Sequence, residues 1–267
     1  MFRENNFILF LFCILPIIIY SLLMFFNSPT LSIRFKTTFT YFYIGLLSIT
    51  ILQAIHFIFP HIGELLFKKS ESSLYTNELS KPAFNALVFY AFIQIGLMEE
   101  LSKWIAIKAV DYMRGKRRKN LDHPYATMFY CSIVGASFAV LENIQYVKRA
   151  MIGEFGLIQP FDMLVTRGVS SVIIHMCCGL FIGYYLALSK GYGIFKRALY
   201  NLIGIAAASF AHGLYDLEWL IPNSQTNYYN LFGYIPIHIS STLIIIFSLI
   251  MAFLMSWNLK NKFNKMK

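Results

Sequence analysis

Long apolar runs broken by short charged stretches dominate the chain. The runs Asn5–Ile33, Thr37–Gly63, Pro82–Met98, His123–Leu141, Gly168–Ser189, Ala198–Tyr215 and Trp219–Leu259 are long enough to cross a bilayer, for which roughly 20 mostly apolar residues suffice. None shows the alternation of inward polar and outward apolar residues that a membrane-spanning barrel strand requires, so the spans read as helices. The pattern predicts an all-α, polytopic transmembrane bundle of about seven spans: Phe7–Phe26, Tyr41–Phe59, Ala83–Val110, Tyr125–Val147, Gly168–Leu188, Leu199–Leu220 and Tyr234–Trp257. The connections Pro60–Pro82 and Lys148–Thr166 read as amphipathic surface segments. With no internal repeat or detachable soluble unit, residues 1–267 form one integral membrane domain.

Composition strengthens this reading. Only 13% of the 267 residues are charged against 57% hydrophobic, and mean hydropathy is +0.58; an ordinary soluble domain carries about 25% charged residues. The formal charge of +10 does not point to nucleic acid, because the basic residues sit in short loops beside apolar runs, where they act as topology signals. Lys and Arg number fourteen on the face holding the C-terminus and seven on the other, where Arg167 is counted. That bias places the N-terminus outside and the C-terminus in the cytoplasm. The first apolar run has no small-x-small cleavage site and reads as a retained anchor. Cys13, Cys131, Cys177 and Cys178 lie inside apolar runs without CxxC spacing and read as buried thiols.

In so apolar a chain the ionisable residues within spans carry the information, since each costs roughly 2.5–3.5 kcal/mol at mid-bilayer on insertion scales. Glu99 and Glu100 in the third span lie four and three residues before Lys103, which can reach either carboxylate, though the two acids point about 100° apart. The fourth span carries Phe138, Glu142 and Tyr146 on one face, with Asn143 adjacent. The fifth carries His175, with Gly179 one turn on. The sixth carries His212 and Asp216 one turn apart, an arrangement that orients an imidazole in metal sites and general bases. Taken together these groups imply one wet cavity within residues 83–220. Read from the expected boundaries, however, Glu142 and Asp216 lie about 8 Å below the outer face and Glu99 about 24 Å. They can meet only if the third span projects outward by two turns or more, tilts strongly, or breaks near the doublet; projection is the expectation.

The order Glu-Glu-x-x-Lys, Phe-x-x-x-Glu-x-x-x-Tyr, Arg-x7-His and His-x-x-x-Asp on successive spans resembles the PrsW family, part of a wider CAAX-protease-like group of intramembrane peptidases. The resemblance covers about Ala83–Leu220. It implies an endopeptidase of the bacterial plasma membrane that cleaves a membrane-anchored protein such as an anti-sigma factor. Glu99 or Glu100 would then activate water, while Glu142, His175 and His212 position it or stabilise the oxyanion, supported by Lys103, Asn143 and Asp216. Glu142, His175 and His212 could also hold Zn²⁺, although His-Glu-x-x-His is absent and a metal-free glutamate mechanism is the alternative. Chains of Glu, His and Asp serve proton relays too, which leaves a proton-coupled transporter as a competing reading, and a non-catalytic membrane scaffold as another.

Overall fold

The computed structural model describes residues 35–58, 85, 87–114, 124–153, 160–220 and 237–264, with isolated positions 14, 18 and 19. Six α-helices and one π-helical segment make up these residues. They are α1 (Phe35–Ile58), the π segment (Tyr90–Leu97), α2 (Met98–Arg114), α3 (Pro124–Met151), α4 (Pro160–Leu188), α5 (Ile194–Leu220) and α6 (Ile237–Asn264). Four of them contain stretches long and apolar enough to cross a membrane: Phe35–Ile58, Pro124–Met151, Met163–Leu188 and Thr242–Leu259. The expected first span, Phe7–Phe26, and the Pro60–Pro82 connection fall outside the described residues except at positions 14, 18 and 19.

α3 and α4 form the centre. Most of each is buried, whereas α1 and α6 present most of their apolar surface outward, as helices at a lipid boundary do. The centre packs closely because small residues sit at the crossing. A Cβ added to Gly135 on α3 would collide with the backbone carbonyl of His175 on α4. Around this crossing Phe129, Ile133, Val134, Ile174 and Ile182 are fully buried, and Tyr41 of α1 stacks on Tyr130 of α3 with ring centroids 4.9 Å apart.

Two departures from the expected spans bear on the polar residues. α3 runs to Met151 rather than Val147, and α4 begins at Pro160 rather than Gly168. Most of the expected Lys148–Thr166 surface segment is therefore helix. Lys148 and Arg149 close the last turn of α3, where cations complement the helix dipole. Glu142 accordingly lies nine residues from the end of its helix, about 14 Å along the axis. The second change is in the third expected span. It is not a uniform α-helix: its π-helical part ends at Leu97, two residues before Glu99, with the carbonyls of Ile93 and Ile95 accepting from backbone N–H groups at the C-terminal cap. Such wide turns are uncommon and concentrate at functional sites. The segment packs tightly on α5, where a Cβ on Gly96 would stand 2.7 Å from Ser209 O and one on Gly213 would stand 2.9 Å from Phe92 Cα. This contact brings the start of α2 against His212.

Candidate active site

Four helices converge on one buried polar cluster. Glu99, Glu100 and Lys103 come from α2, Glu142 and Asn143 from α3, Arg167, Ser171 and His175 from α4, and His212 and Asp216 from α5. All but Glu142 are among the buried polar residues of the protein, and Glu142 has a side chain only 13% exposed. The eight residues singled out from the sequence are thus brought together. In this cluster the carboxyl groups of Glu99, Glu100, Glu142 and Asp216 face two cations, Lys103 and Arg167.

Lys103 sits at the centre. Its Nζ lies 2.6 Å from Glu100 Oε1, 3.9 Å from Glu99 Oε2 and 2.7 Å from His175 Nδ1, with the Phe138 ring centroid 4.1 Å away. An ammonium has donors and no acceptor, so His175 Nδ1 accepts from it. The proton of the neutral imidazole then lies on Nε2 and is donated to Glu142 Oε2 at 2.8 Å. This tautomer follows from the chemistry of the two partners.

Arg167 completes that side of the cluster. Its Nη2 donates to Glu142 Oε1 at 2.7 Å and its Nε to Asn143 Oδ1 at 3.2 Å, while Asn143 Nδ2 donates back to the Arg167 carbonyl at 3.1 Å. The sequence reading assigned Arg167 to a loop as a topology charge; the structure corrects this. Because α4 starts eight residues earlier, Arg167 is a buried helical residue, paired with Glu142. Its place in the Arg-x7-His spacing was the signal, and the surrounding polar stretch obscured it. Glu218, two residues from the end of α5, is also buried.

The opposite side of the cluster is less satisfied. His212 Nδ1 lies 2.9 Å from Glu100 Oε1, which accepts its proton. His212 Nε2 then faces Asp216 Oδ2 at 3.0 Å and Glu99 Oε2 at 3.7 Å. The first contact is short but off hydrogen-bond geometry, and the second is too long, so both oxygens are buried without a hydrogen-bond partner, as is Glu100 Oε2. Buried acceptors in this condition are few in native proteins and mark places where water, an ion or a ligand belongs.

The residues present include donor sets for a divalent cation. Glu99, His175 and His212 each offer a ligand atom, all within 4.8 Å of one another, and Glu100, Cys178 and His212 form a second such group. The first combines two imidazoles with a carboxylate, the donor class of many catalytic zinc sites, and His175 would ligate through Nδ1 once the Lys103 ammonium, 2.7 Å away, moves off it. Glu142 belongs to neither group and lies on the far nitrogen of His175, where a carboxylate orients a ligating histidine. Cys131, Cys177 and Cys178 are buried free thiols, as the sequence suggested; Cys13 falls outside the described residues.

Comparison with known proteins leads to the same family as the motif order. The model of the PrsW family of intramembrane metalloproteases matches residues 35–257. The chain belongs to that family. Protease PrsW of Oceanobacillus iheyensis is 27% identical over 133 residues, covering 50% of this chain and 55% of the relative. Protease PrsW of Shouchella clausii is 26% identical over 184 residues, covering 69% of this chain and 70% of the relative. The chain therefore spans little more than half the length of the first of these PrsW relatives. No solved structure matches the chain.

Proposed function

We propose that this PrsW-family protein is an intramembrane endopeptidase that hydrolyses a peptide bond of a membrane-anchored protein. The observation that carries the proposal is the wet-chemistry half of the cluster: a carboxylate, Glu99, with an unpartnered buried oxygen 3.7 Å from an imidazole whose other nitrogen is already held by Glu100. Peptide hydrolysis needs a base, a positioned water and a group that stabilises the oxyanion. Glu99 is placed to accept the proton of water. With Nδ1 committed to Glu100, His212 Nε2 between Glu99 and Asp216 would donate toward the developing oxyanion or the leaving amine only when the ring carries a second proton, as the imidazolium. Glu100 and Lys103 hold His212 and His175 in single orientations and exclude a second arrangement of the centre. When bound, a divalent metal such as Zn²⁺ would be held by Glu99, His175 and His212 and would supply a polarised water.

A seven-span arrangement with the N-terminus outside and the C-terminus in the cytoplasm is part of the same proposal. Moving Arg167 from loop to core takes one charge from the less basic face and strengthens the loop bias that supports it. Substrates of the anti-sigma-factor type, anchored by one span, suit a protein whose described residues hold no soluble recognition unit.

The test compares membrane proteomes of cells making the wild-type protein or Glu99→Gln. A single-span protein that loses its intact form only with wild type supports the proposal. Identical proteomes, with both proteins present at equal level, overturn it.

A further inference from the structure

The seam between α3 and α4 assigns a role to Arg167 that the reaction scheme above leaves open. Five contacts hold the guanidinium and its backbone: Nη2 to Glu142 Oε1 at 2.7 Å, Nη2 to Ser171 Oγ at 3.4 Å, Nε to Asn143 Oδ1 at 3.2 Å, the return bond from Asn143 Nδ2 to the Arg167 carbonyl at 3.1 Å, and a face contact 3.7 Å from the Tyr146 ring centroid. Asn143 reads both the side chain and the backbone of Arg167, so the guanidinium plane has one orientation. A planar donor fork held in this way fixes a carboxylate far better than a flexible ammonium does.

Glu142 has two oxygens, and each has a single task. Oε1 accepts from Arg167 and Oε2 accepts from His175 Nε2 at 2.8 Å. With Nε2 committed to Glu142, His175 must turn Nδ1 toward Lys103 and the rest of the cluster. We propose that Arg167 is a positioning residue: through Glu142 it holds the His175 ring in the one orientation that keeps Nδ1 on the Lys103 ammonium and the proton on Nε2. Outer partners of this kind, when removed, typically lower activity or metal affinity by about 10–100-fold. A guanidinium present only to neutralise a buried acid would be replaceable by any cation, and the ring would keep its place against Lys103, whose ammonium sets the proton on Nε2 only while Nδ1 stays beside it.

The inference rests on the peptidase reading for its kinetic arm but not for its spectroscopic arm. The protein is purified in detergent with ¹⁵N-labelled histidine, and the His175 ring signals, assigned by their loss in His175→Gln, are compared in wild type, Arg167→Gln and Arg167→Lys. Cleavage is followed in parallel on a single-span reporter protein co-reconstituted in liposomes. Wild type is expected to show one His175 tautomer with the proton on Nε2. Arg167→Gln is expected to show mixed tautomers and a kcat lower by about 10–100-fold at little-changed KM. Arg167→Lys, which keeps the charge and loses the fork, is expected to restore the yield of folded protein without restoring the single tautomer. An unchanged His175 signal or a wild-type kcat in either folded variant overturns the proposal; Arg167→Lys alone decides it should Arg167→Gln fail to accumulate. A wild-type protein that does not cleave the reporter bears on the peptidase reading, while the ring signals still decide the role of Arg167.

Discussion

The two sides of the buried cluster are built to different standards. Between α3 and α4, Arg167, Glu142, Asn143 and His175 satisfy one another, and both oxygens of Glu142 are bonded. Where α2 meets α5, Glu99, Glu100 and Asp216 each keep one buried oxygen without a hydrogen-bond partner. Leaving a buried polar group unpaired costs about 1–3 kcal/mol, so a chain concerned only with stability would have paired both sides. The difference separates a frame from a reacting surface. The α3–α4 side holds imidazole orientation, and the α2–α5 side keeps acceptors available for water, metal or substrate.

The comparison breaks most visibly if the frame is damaged. Glu142→Ala leaves the Arg167 guanidinium buried without its anion, and loss of one partner of a buried pair costs about 3–5 kcal/mol. Thermal unfolding in detergent should show the variant melting well below wild type. Gly135→Val acts on the same side by a different route, forcing side-chain volume against the His175 carbonyl; overpacking costs about 1–3 kcal/mol, readable in the same assay. Glu99→Gln belongs to the other side. It deletes a charge that no hydrogen bond satisfies at Oε2, and the melting temperature should stay within about 2–4 °C of wild type. Lys190→Ala, which removes an exposed contact to Thr127, should change stability by less than about 1 kcal/mol and leave cleavage unaltered.

Much of the site was legible in sequence because ionisable residues are conspicuous in apolar spans. The i,i+3 and i,i+4 spacings of Glu99, Glu100 and Lys103, and of His212 and Asp216, predicted pairs that the structure contains. The depth conflict between Glu99 and Glu142 was also legible, as a conflict. Its resolution was not, for two physical reasons. Tyr90–Leu97 is an apolar string whose side chains do not distinguish a π-helix from an α-helix; tight packing of Gly96 and Gly213 against facing backbone accompanies the wider turn. Arg167 looked like a boundary residue because a bare guanidinium is expelled from a span, and only its partner on a separate helix, Glu142, permits burial. The bundle as an all-helical assembly followed from run length, whereas the ends of α3 and α4 depended on tertiary partners that no local pattern contains.

The central claim is that the unpaired side, with Glu99 as its base, performs hydrolysis. It is tested most directly by reconstituting wild type and Glu99→Gln separately with a single-span reporter and measuring the rate of new fragment formation. The account predicts cleavage by wild type and a loss of about 10²–10⁴-fold or more in the folded variant. Fragment formation by Glu99→Gln at the wild-type rate would contradict it.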